Sequence, residues 1–243
     1  MDGRAAGPGG ERATGLGVSP QAWLHAPTAA AAGYSCQSGR PSGVQKRGLQ
    51  AEIDAVKRAH PDAHVAVWAE DEHRLGLLPV VRRVWAPRGQ RPTAWVHRRY
   101  EWLYVYAFVR PTTGHSWWCL LPTVSTAAFS LALAEFARDE GIGPTQRAVV
   151  ALDGAGWHGA TALAVPEGIH LVPLPPASPE LQPAERLWPL VDEVIANRAC
   201  ADLPALEEAL VRRCQILRSD RRTIKAHTHF YWWPQERRPQ RSP

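Results

Sequence analysis

The sequence predicts an α/β fold, a mixed sheet of five strands with helices on both faces. Early strand-like segments are joined by short turns, which is typical of three antiparallel neighbours. Later strand-like segments alternate with helical ones, which is typical of parallel strands. The chain has 243 residues, enough to bury a full hydrophobic core.

The first predicted elements are a helix and a group of strands. Apolar residues recur at helical spacing in "LQAEIDAVKRAH", which predicts a helix. Small and β-branched residues in "HVAVWAED" predict a strand that ends in acids. A further short strand before a Pro/Gly turn is indicated by "RRVWAPRGQRP". Two strands joined by the turn "RPTTG" are indicated by "EWLYVYAFVRPTTGHSWWCLLP".

The second half of the pattern alternates helices and strands. A helix is predicted by "STAAFSLALAEFARDEG", where Ser125 or Thr126 can cap the start and Gly141 can end it. The apolar run "RAVVALDG" is typical of a strand buried on both faces. The remaining segments are a short strand and two helices that each open with a proline: "IHLVPLP", "PAERLWPLVDEVIANR" and "LPALEEALVRRCQILRS".

The chain divides into three parts by composition. Residues 1–48 are rich in Gly and Arg and lack hydrophobic periodicity over most of their length, so we expect a poorly ordered segment. Residues 49–233 carry the predicted strands and helices and form the expected domain. Residues 234–243 form a basic C-terminal tail.

Charge and cysteine content narrow the classes of function. The net charge is +5, and only three of the 28 basic residues are lysines. Arginine binds phosphates with two parallel hydrogen bonds, so nucleic acid is a candidate partner; a GC-rich coding sequence explains the same bias equally well. The four cysteines form no CxxC pair, which argues against a zinc site and for a reduced chain. Without an apolar span or a signal peptide, we expect a cytoplasmic protein with no membrane partner.

Acidic residues lie at three strand or helix ends. Glu70, Asp71 and Glu72 end the first predicted strand, Asp153 ends the buried strand, and Glu185 lies in the first turn of a later helix. Sites in open α/β sheets gather outside the carboxyl ends of the strands. Carboxylates that converge there repel one another unless cations neutralise them, and a pair of Mg²⁺ ions is a common solution. Simpler explanations are a turn residue, solvated acids and a helix-dipole partner.

The link before Glu185 is stiff. Five prolines fall between Pro173 and Pro183, and proline has a fixed φ and little conformational entropy to lose. Such a link would hold Glu185 against repulsion from the other acids. The alternative is a rigid surface loop without a functional role.

Four blocks of the sequence resemble the DDE transposases of bacterial insertion sequences in the mariner-like superfamily: "WAEDEHRLGL", "VWAPRGQRP", "ALDGAGWHGA" and "LPPASPELQPAERLW". The resemblance covers about residues 45–233, in family order. It implies a ribonuclease-H-like catalytic core, a divalent-metal cofactor (Mg²⁺ or Mn²⁺, two ions) and cut-and-paste DNA transposition. The family's acid triad carries over to Asp71, Asp153 and Glu185, as catalytic residues and metal ligands.

The same resemblance implies partners and a place of action. Double-stranded DNA would be bound both at terminal inverted repeats and at the target. Transposases of this type generally act as dimers, so a homodimer is expected. The protein would associate with the nucleoid.

Several residues depart from the family pattern. Gly154 and Gln182 each stand where the family usually has Asn. Because Gln is a poor helix cap, we expect a weak helix start before Glu185. Family members usually carry helix-turn-helix modules ahead of the core, and residues 1–48 resemble at most a remnant of one. An alternative is therefore a truncated, non-transposing remnant that only binds DNA or a partner transposase; an acid-pair glycosidase is a third hypothesis.

Basic residues near the second and third predicted strands are candidates for DNA binding. Trp85 and Trp95 lie among them and can stack on bases. A solvated basic face with core tryptophans explains the pattern equally well. The candidate phosphate-binding residues are Arg82, Arg83, Arg88, Arg91, Arg98 and Arg99.

Three histidines lie near the motifs or the tail. His158 follows Asp153 by five residues, and we expect it to have a structural or supporting role rather than to transfer protons. His227 and His229 are spaced like neighbours on one strand face, but a solvent-facing tail is the preferred interpretation.

Overall fold

A five-stranded mixed sheet lies at the centre of the protein. The computed structural model describes residues 43–78, 80–83, 87–89, 93, 99–175 and 179–235. The strands are β1 (His64–Gly76), β2 (Trp102–Arg110), β3 (His115–Leu121), β4 (Gln146–Leu152) and β5 (Ile169–Pro173), in the order β3-β2-β1-β4-β5. Strands β1, β2 and β3 form an antiparallel meander, whereas β4 is parallel to both β1 and β5. This arrangement confirms the predicted mixed sheet, with three antiparallel strands followed by parallel ones.

Helices cover both faces of the sheet, as predicted. The helices are α1 (Gly43–Ala59), α2 (Thr126–Asp139), α3 (Trp188–Asp192), α4 (Leu203–Ser219) and α5 (Arg221–Thr228), with two 3-10 helices at Pro179–Leu181 and Pro183–Leu187. Along β1, Val65, Val67 and Ala69 pack in one hydrophobic cluster with α1 and α4, while Ala66 and Trp68 pack in a second cluster with α2. The parity of a residue in β1 therefore tells which face its side chain enters.

The ends of α2 follow the predicted capping chemistry. The Ser125 hydroxyl accepts a 3.1 Å hydrogen bond from the backbone N–H of Ala128. Gly141 follows the helix with φ of 63°, a left-handed conformation that glycine adopts without steric cost. Local side-chain chemistry thus sets both boundaries.

The first strand is longer than predicted. Instead of ending at the acids, β1 continues to Gly76, because residues Ala69 to Gly76 pair with β2. The expectation that Glu70, Asp71 and Glu72 end a strand is therefore wrong for β1 itself. Arg82 and Arg83, predicted to begin a further strand, are not in a strand.

The helix predicted from Pro183 to Arg198 is broken. A 3-10 helix covers Pro183–Leu187 and α3 ends at Asp192. Pro189 explains the break, because proline lacks an N–H and its ring clashes with the carbonyl four residues earlier, which belongs to Glu185. The N–H of Trp188 bonds instead to the Glu185 carbonyl three residues back, the 3-10 pattern.

One helix near the C-terminus was not predicted. The Asp220 carboxylate caps α5 by accepting a 3.0 Å hydrogen bond from the N–H of Thr223. His227 lies exposed on this helix, so it does not share a strand face with His229. Residues 1–42 and 236–243, which hold most of the predicted N-terminal segment and tail, lie outside the described residues. Within the described part of the chain, no helix combines the length and apolar character needed to cross a membrane.

Candidate active site

The parallel pairing of β1 and β4 ends two residues before two of the predicted acids. Ala69 in β1 is the partner of Ala151 in β4. Asp71 lies two residues beyond Ala69 in β1. Asp153 lies two residues beyond Ala151, just past the carboxyl end of β4. The pairing of β1 with β4 ends here, although β1 itself continues. The two acids therefore still lie at the carboxyl end of a pair of parallel strands, where sites in α/β sheets gather.

Asp71 is held in a partly buried position. It has the parity of Ala69, so it enters the face of the sheet covered by α1 and α4. The indole N–H of Trp188 donates a 2.7 Å hydrogen bond to Oδ2 of Asp71. Burial raises the pKa of Asp71 to about 7; the Trp188 hydrogen bond opposes this, while repulsion from Glu72 and Glu185 adds to it. A positive charge at this point would favour the ionised carboxylate.

Trp188 is in turn fixed by its neighbours. The His73 ring stacks on the Trp188 ring with centroids 4.9 Å apart. Nε2 of His73 lies 2.9 Å from Oδ1 of Asp192. A series of contacts from α3 to β1 therefore sets the orientation of the Asp71 carboxylate.

Asp153 is exposed but oriented by the loop that follows it. Its Oδ1 accepts a 2.9 Å hydrogen bond from the backbone N–H of Ala155 and lies 3.0 Å from Nδ1 of His158. The His158 side chain is buried and reaches back to Glu72, with Nε2 3.0 Å from Oε1. His158 thus has the supporting position expected from the sequence.

Glu185 lies on the 3-10 helix Pro183–Leu187, with its side chain exposed. Partial burial raises the pKa of Glu185; the nearby Arg186 lowers it, while the charges of Asp153 and Glu180 raise it. The charge of Asp153 therefore acts on the pKa of Glu185, and the charge of Glu185 acts on the pKa of Asp71. The three predicted acids thus influence one another electrostatically in pairs, but among the described residues they do not form a group with ligand atoms within 4.8 Å of one another.

Gln182 fixes the start of the helix that carries Glu185. Its side chain is buried, its Nε2 donates a 2.8 Å hydrogen bond to the carbonyl of Glu70, and its Oε1 accepts one of 3.3 Å from the N–H of Ala184. The expectation of a weak helix start is corrected in one respect, because Gln182 both caps the helix and attaches it to β1. Residues 176–178 of the proline-rich link lie outside the described residues.

The donor set of the three acids fits a hard divalent cation. Three carboxylates offer only oxygen ligands, which Mg²⁺ and Mn²⁺ prefer. Their mutual repulsion and the raised pKa values of Asp71 and Glu185 mark a place where positive charge is favourable. Asp71, Asp153 and Glu185 are therefore suited to hold such ions.

The candidate DNA-binding arginines divide into three groups. Arg82 is half-buried and bonds within the protein, because its Nη2 donates to the Pro189 carbonyl at 2.7 Å and lies 3.3 Å from Asp192. Arg99 bonds to Glu101 and to the carbonyl of Ala201. Exposed positions are occupied by Arg83 and Arg88. Arg91, Arg98, Trp85 and Trp95 lie outside the described residues.

Sequence reasoning missed the environment of Glu70. The sequence predicts Glu70 as one of three acids near a strand exit, but its side chain is fully buried next to Glu72 and His158. Burial, followed by repulsion from Glu72, Asp71 and Asp153, raises the pKa of Glu70 well above its usual range. The signal was present in the strand parity, since Glu70 follows the buried Trp68 on the face covered by α2.

Comparison with known proteins gives a family match over the sheet and the site. Residues 66–207 match the family described as DDE superfamily endonuclease. An uncharacterized protein of Sinorhizobium fredii, y4pE/y4sA, is 40% identical over 102 residues, which span 42% of this chain and 74% of that protein.

Solved structures of Mos1 transposase are also similar. The Mos1 mariner paired-end complex with Mn is 17% identical, covering 88% of this chain and 72% of that one, with a TM-score of 0.46. The catalytic domain of Mos1 mariner transposase is 13% identical, covering 81% of this chain and 99% of that one, with a TM-score of 0.44.

Proposed function

The chain belongs to the DDE superfamily of endonucleases, and we propose that Asp71, Asp153 and Glu185 are its catalytic metal ligands, holding two Mg²⁺ or Mn²⁺ ions that support DNA cleavage and strand transfer at the ends of an insertion sequence. The observation that supports this proposal is the parallel register of β1 and β4, whose last pair, Ala69 and Ala151, lies two residues before Asp71 and Asp153. Glu185 is added by the helix that Gln182 attaches to β1.

Each carboxylate has a distinct way of being positioned for this role. Asp71 is fixed by the Trp188 indole, Asp153 by His158 and the Ala155 N–H, and Glu185 by the capped 3-10 helix. When bound, a pair of divalent ions supplies activation of the attacking oxygen and stabilisation of the leaving oxygen. The protein's share of the rate enhancement is to hold its carboxylates in place and keep them ionised.

The DNA partner is proposed from the family and from surface charge. Arg83 and Arg88 are exposed and carry no acidic partner among the described contacts, so they are available to phosphates. We propose that residues 49–233 form the catalytic domain, that both terminal inverted repeats and target DNA are bound, and that two copies of the chain act together. Size-exclusion chromatography with light scattering tests the last point, and a monomer on DNA would contradict it.

Nicking of supercoiled plasmid tests the catalytic assignment. With Mg²⁺ or Mn²⁺, the purified chain should convert supercoiled DNA to open circles, and EDTA should stop the reaction. Asp153→Asn and Glu185→Gln should each abolish nicking, because each removes a metal-binding charge. Matched controls are Asp62→Asn and Glu207→Gln, two exposed acids outside the site, which should nick normally.

The outcomes separate the hypotheses. Nicking that survives Asp153→Asn would overturn the catalytic assignment. DNA retention without nicking in either metal would favour the alternative of a remnant that only binds DNA.

A further inference from the structure

A second group of metal-ligand side chains lies across the sheet from Asp71. Within the part of the chain that the structure describes, Glu70, Glu72 and His158 each offer one ligand atom, and these atoms lie within 4.8 Å of one another. Glu70 and Glu72 are two residues apart in β1 and share the face covered by α2, opposite to that of Asp71. His158 reaches this face from the loop after Asp153, where its ring packs on Phe129.

Glu70 is buried in this group without a hydrogen-bond partner. Its exposed fraction is 0%, and neither Oε1 nor Oε2 has a hydrogen-bond partner among the described residues, although Nε2 of His158 lies 3.9 Å from Oε2. A buried carboxylate is stable only when it is paired, protonated or bound to a metal. A divalent cation bound by the carboxylate would supply the partner that Glu70 lacks.

The spacing of the ligand atoms fits a small divalent ion. Nε2 of His158 lies 3.0 Å from Oε1 of Glu72 and 3.9 Å from Oε2 of Glu70. Tetrahedral ligands at the usual Zn–N and Zn–O bond lengths lie about 3.4 Å apart, which is between these two distances. With one ligand atom from each residue, the group supplies three donors and leaves one position of a tetrahedral site for a further ligand.

The other nitrogen of His158 has the partner expected of a metal-bound histidine. Nδ1 lies 3.1 Å from the carbonyl oxygen of Asp153, so an N–H there donates to the backbone. This hydrogen bond leaves the lone pair of Nε2 directed to the acids. A metal-ligating histidine almost always donates its second N–H to a carbonyl or a carboxylate in this way.

We propose that Glu70, Glu72 and His158 bind one divalent transition-metal ion of the Zn²⁺ class, separate from the ions at Asp71, Asp153 and Glu185. The imidazole ligand and the closed, buried position favour such an ion over Mg²⁺, which prefers oxygen ligands and retains waters. The sequence-based argument against zinc considered cysteines alone, and this site uses none. The ion would fasten the loop after Asp153 to β1.

Metal content of a chain with the catalytic acids neutralised tests the proposal. In the full chain carrying Asp71→Asn, Asp153→Asn and Glu185→Gln, the proposed catalytic ligands are removed, while the Asp153 backbone carbonyl remains. After stripping with EDTA, incubation with Zn²⁺ and dialysis, elemental analysis should find one zinc per chain. Co²⁺ in place of Zn²⁺ should give visible absorption typical of a low-coordinate site.

Variants of the three ligands then assign the ion. In the neutralised background, Glu70→Gln, Glu72→Gln and His158→Gln should each lose the zinc. The control Glu207→Gln, at an exposed position of α4, should retain it. Zn²⁺ should raise the melting temperature of the neutralised parent but not of the Glu72→Gln variant, which removes a ligand at the edge of the cluster and leaves Glu70 in place.

Two results would overturn the proposal. One is a neutralised parent that retains no zinc, a result that does not require any ligand variant to fold. The other is full zinc retention in Glu72→Gln and His158→Gln. Because DNA cleavage is not measured, failure here leaves the catalytic assignment intact, and loss of plasmid nicking in the single-acid variants says nothing about this ion.

Discussion

The indole of Trp188 and the carboxylate of Asp71 are joined by a 2.7 Å hydrogen bond although 117 positions separate them in the chain. The bond connects α3 to the centre of the sheet at the residue we assign as the first catalytic acid. Because a hydrogen bond to the charged form lowers the pKa of a carboxyl group, Trp188 helps Asp71 to stay ionised against burial and neighbouring acids.

Trp188→Phe should weaken metal binding at neutral pH. The ring remains for packing, but the donor is lost, so the pKa of Asp71 rises further above about 7. We expect about tenfold weaker Mn²⁺ binding at pH 7, the size expected for losing a hydrogen bond to a charged group, with partial recovery at pH 8.5. Isothermal titration calorimetry measures this.

A matched control is Trp117→Phe, which removes a 3.0 Å hydrogen bond from an indole to Asp139 away from the site. Its Mn²⁺ affinity should equal that of the unaltered chain. Equal affinities for both variants would show that Trp188 does not act on Asp71.

Stability of the metal-free protein should fall as the pH rises from about 4 to about 7. Burial raises the pKa of Asp71 from 3.8 to about 7, so in this range the folded state holds a proton that the unfolded state has lost. The favourable contribution is fully present below the unfolded pKa and is lost as the pH passes the folded pKa. It amounts to at most about 4 kcal/mol.

Urea unfolding in EDTA at pH 5 and pH 8 tests this pH dependence. Asp71→Asn should reduce the difference in unfolding free energy between the two pH values, because Asn does not titrate. Adding Mg²⁺ at pH 8 should restore stability to the unaltered chain. An unchanged pH dependence in Asp71→Asn would contradict the assignment of the raised pKa to this residue.

Gln182→Ala should destabilise the fold and reduce plasmid nicking together. It removes the hydrogen bonds to the Glu70 carbonyl and from the Ala184 N–H, which should lower the unfolding free energy by about 1–2 kcal/mol. Gln182→Asn should give an intermediate value, because the shorter side chain can cap the helix but not reach β1. Gln215→Ala, at an exposed position of α4, is the control, and a loss of the same size there would contradict the role of Gln182.

Arg83→Ala and Arg82→Ala should differ in kind. Arg83 is exposed, so its removal should leave the melting temperature unchanged and reduce the salt dependence of DNA binding by about one unit of slope. Arg82 bonds to Pro189 and Asp192, so its removal should lower the melting temperature. Fluorescence anisotropy over a salt series and thermal unfolding separate the two effects, and an unchanged salt slope for Arg83→Ala would remove it from the DNA-binding surface.

Much of the sheet could be predicted because its signals are local. The buried run of β4 and the caps of α2 depend on residues that are neighbours in the sequence. The position of Asp153 after a strand depends on such local residues as well. The end of β1 could not be predicted, because pairing with β2 extends it through polar residues. Pro189 is the sequence signal for the break after Leu187, because an internal proline opposes a continuous helix.

The environment of the candidate site was less accessible to sequence reasoning. The hydrogen bond from Gln182 to Glu70 spans 112 positions, and Arg82 finds its partners more than 100 positions away. Glutamate side chains are usually exposed, so the full burial of Glu70 could not be predicted from its residue type. Such contacts depend on the assembled sheet and not on any local pattern.

The continuation of β1 past Asp71 makes the three acids unequal in what their positions depend on. Asp71 lies within a strand that pairs with β4 up to Ala69 and with β2 from Ala69 to Gly76, so moving it requires rebuilding the sheet. Asp153 and Glu185 occur on connections whose length can change by insertion or deletion while the strands keep their register. Insertions or deletions between Leu152 and Pro183 can therefore change the spacing of Asp153 and Glu185 relative to Asp71 without altering β1.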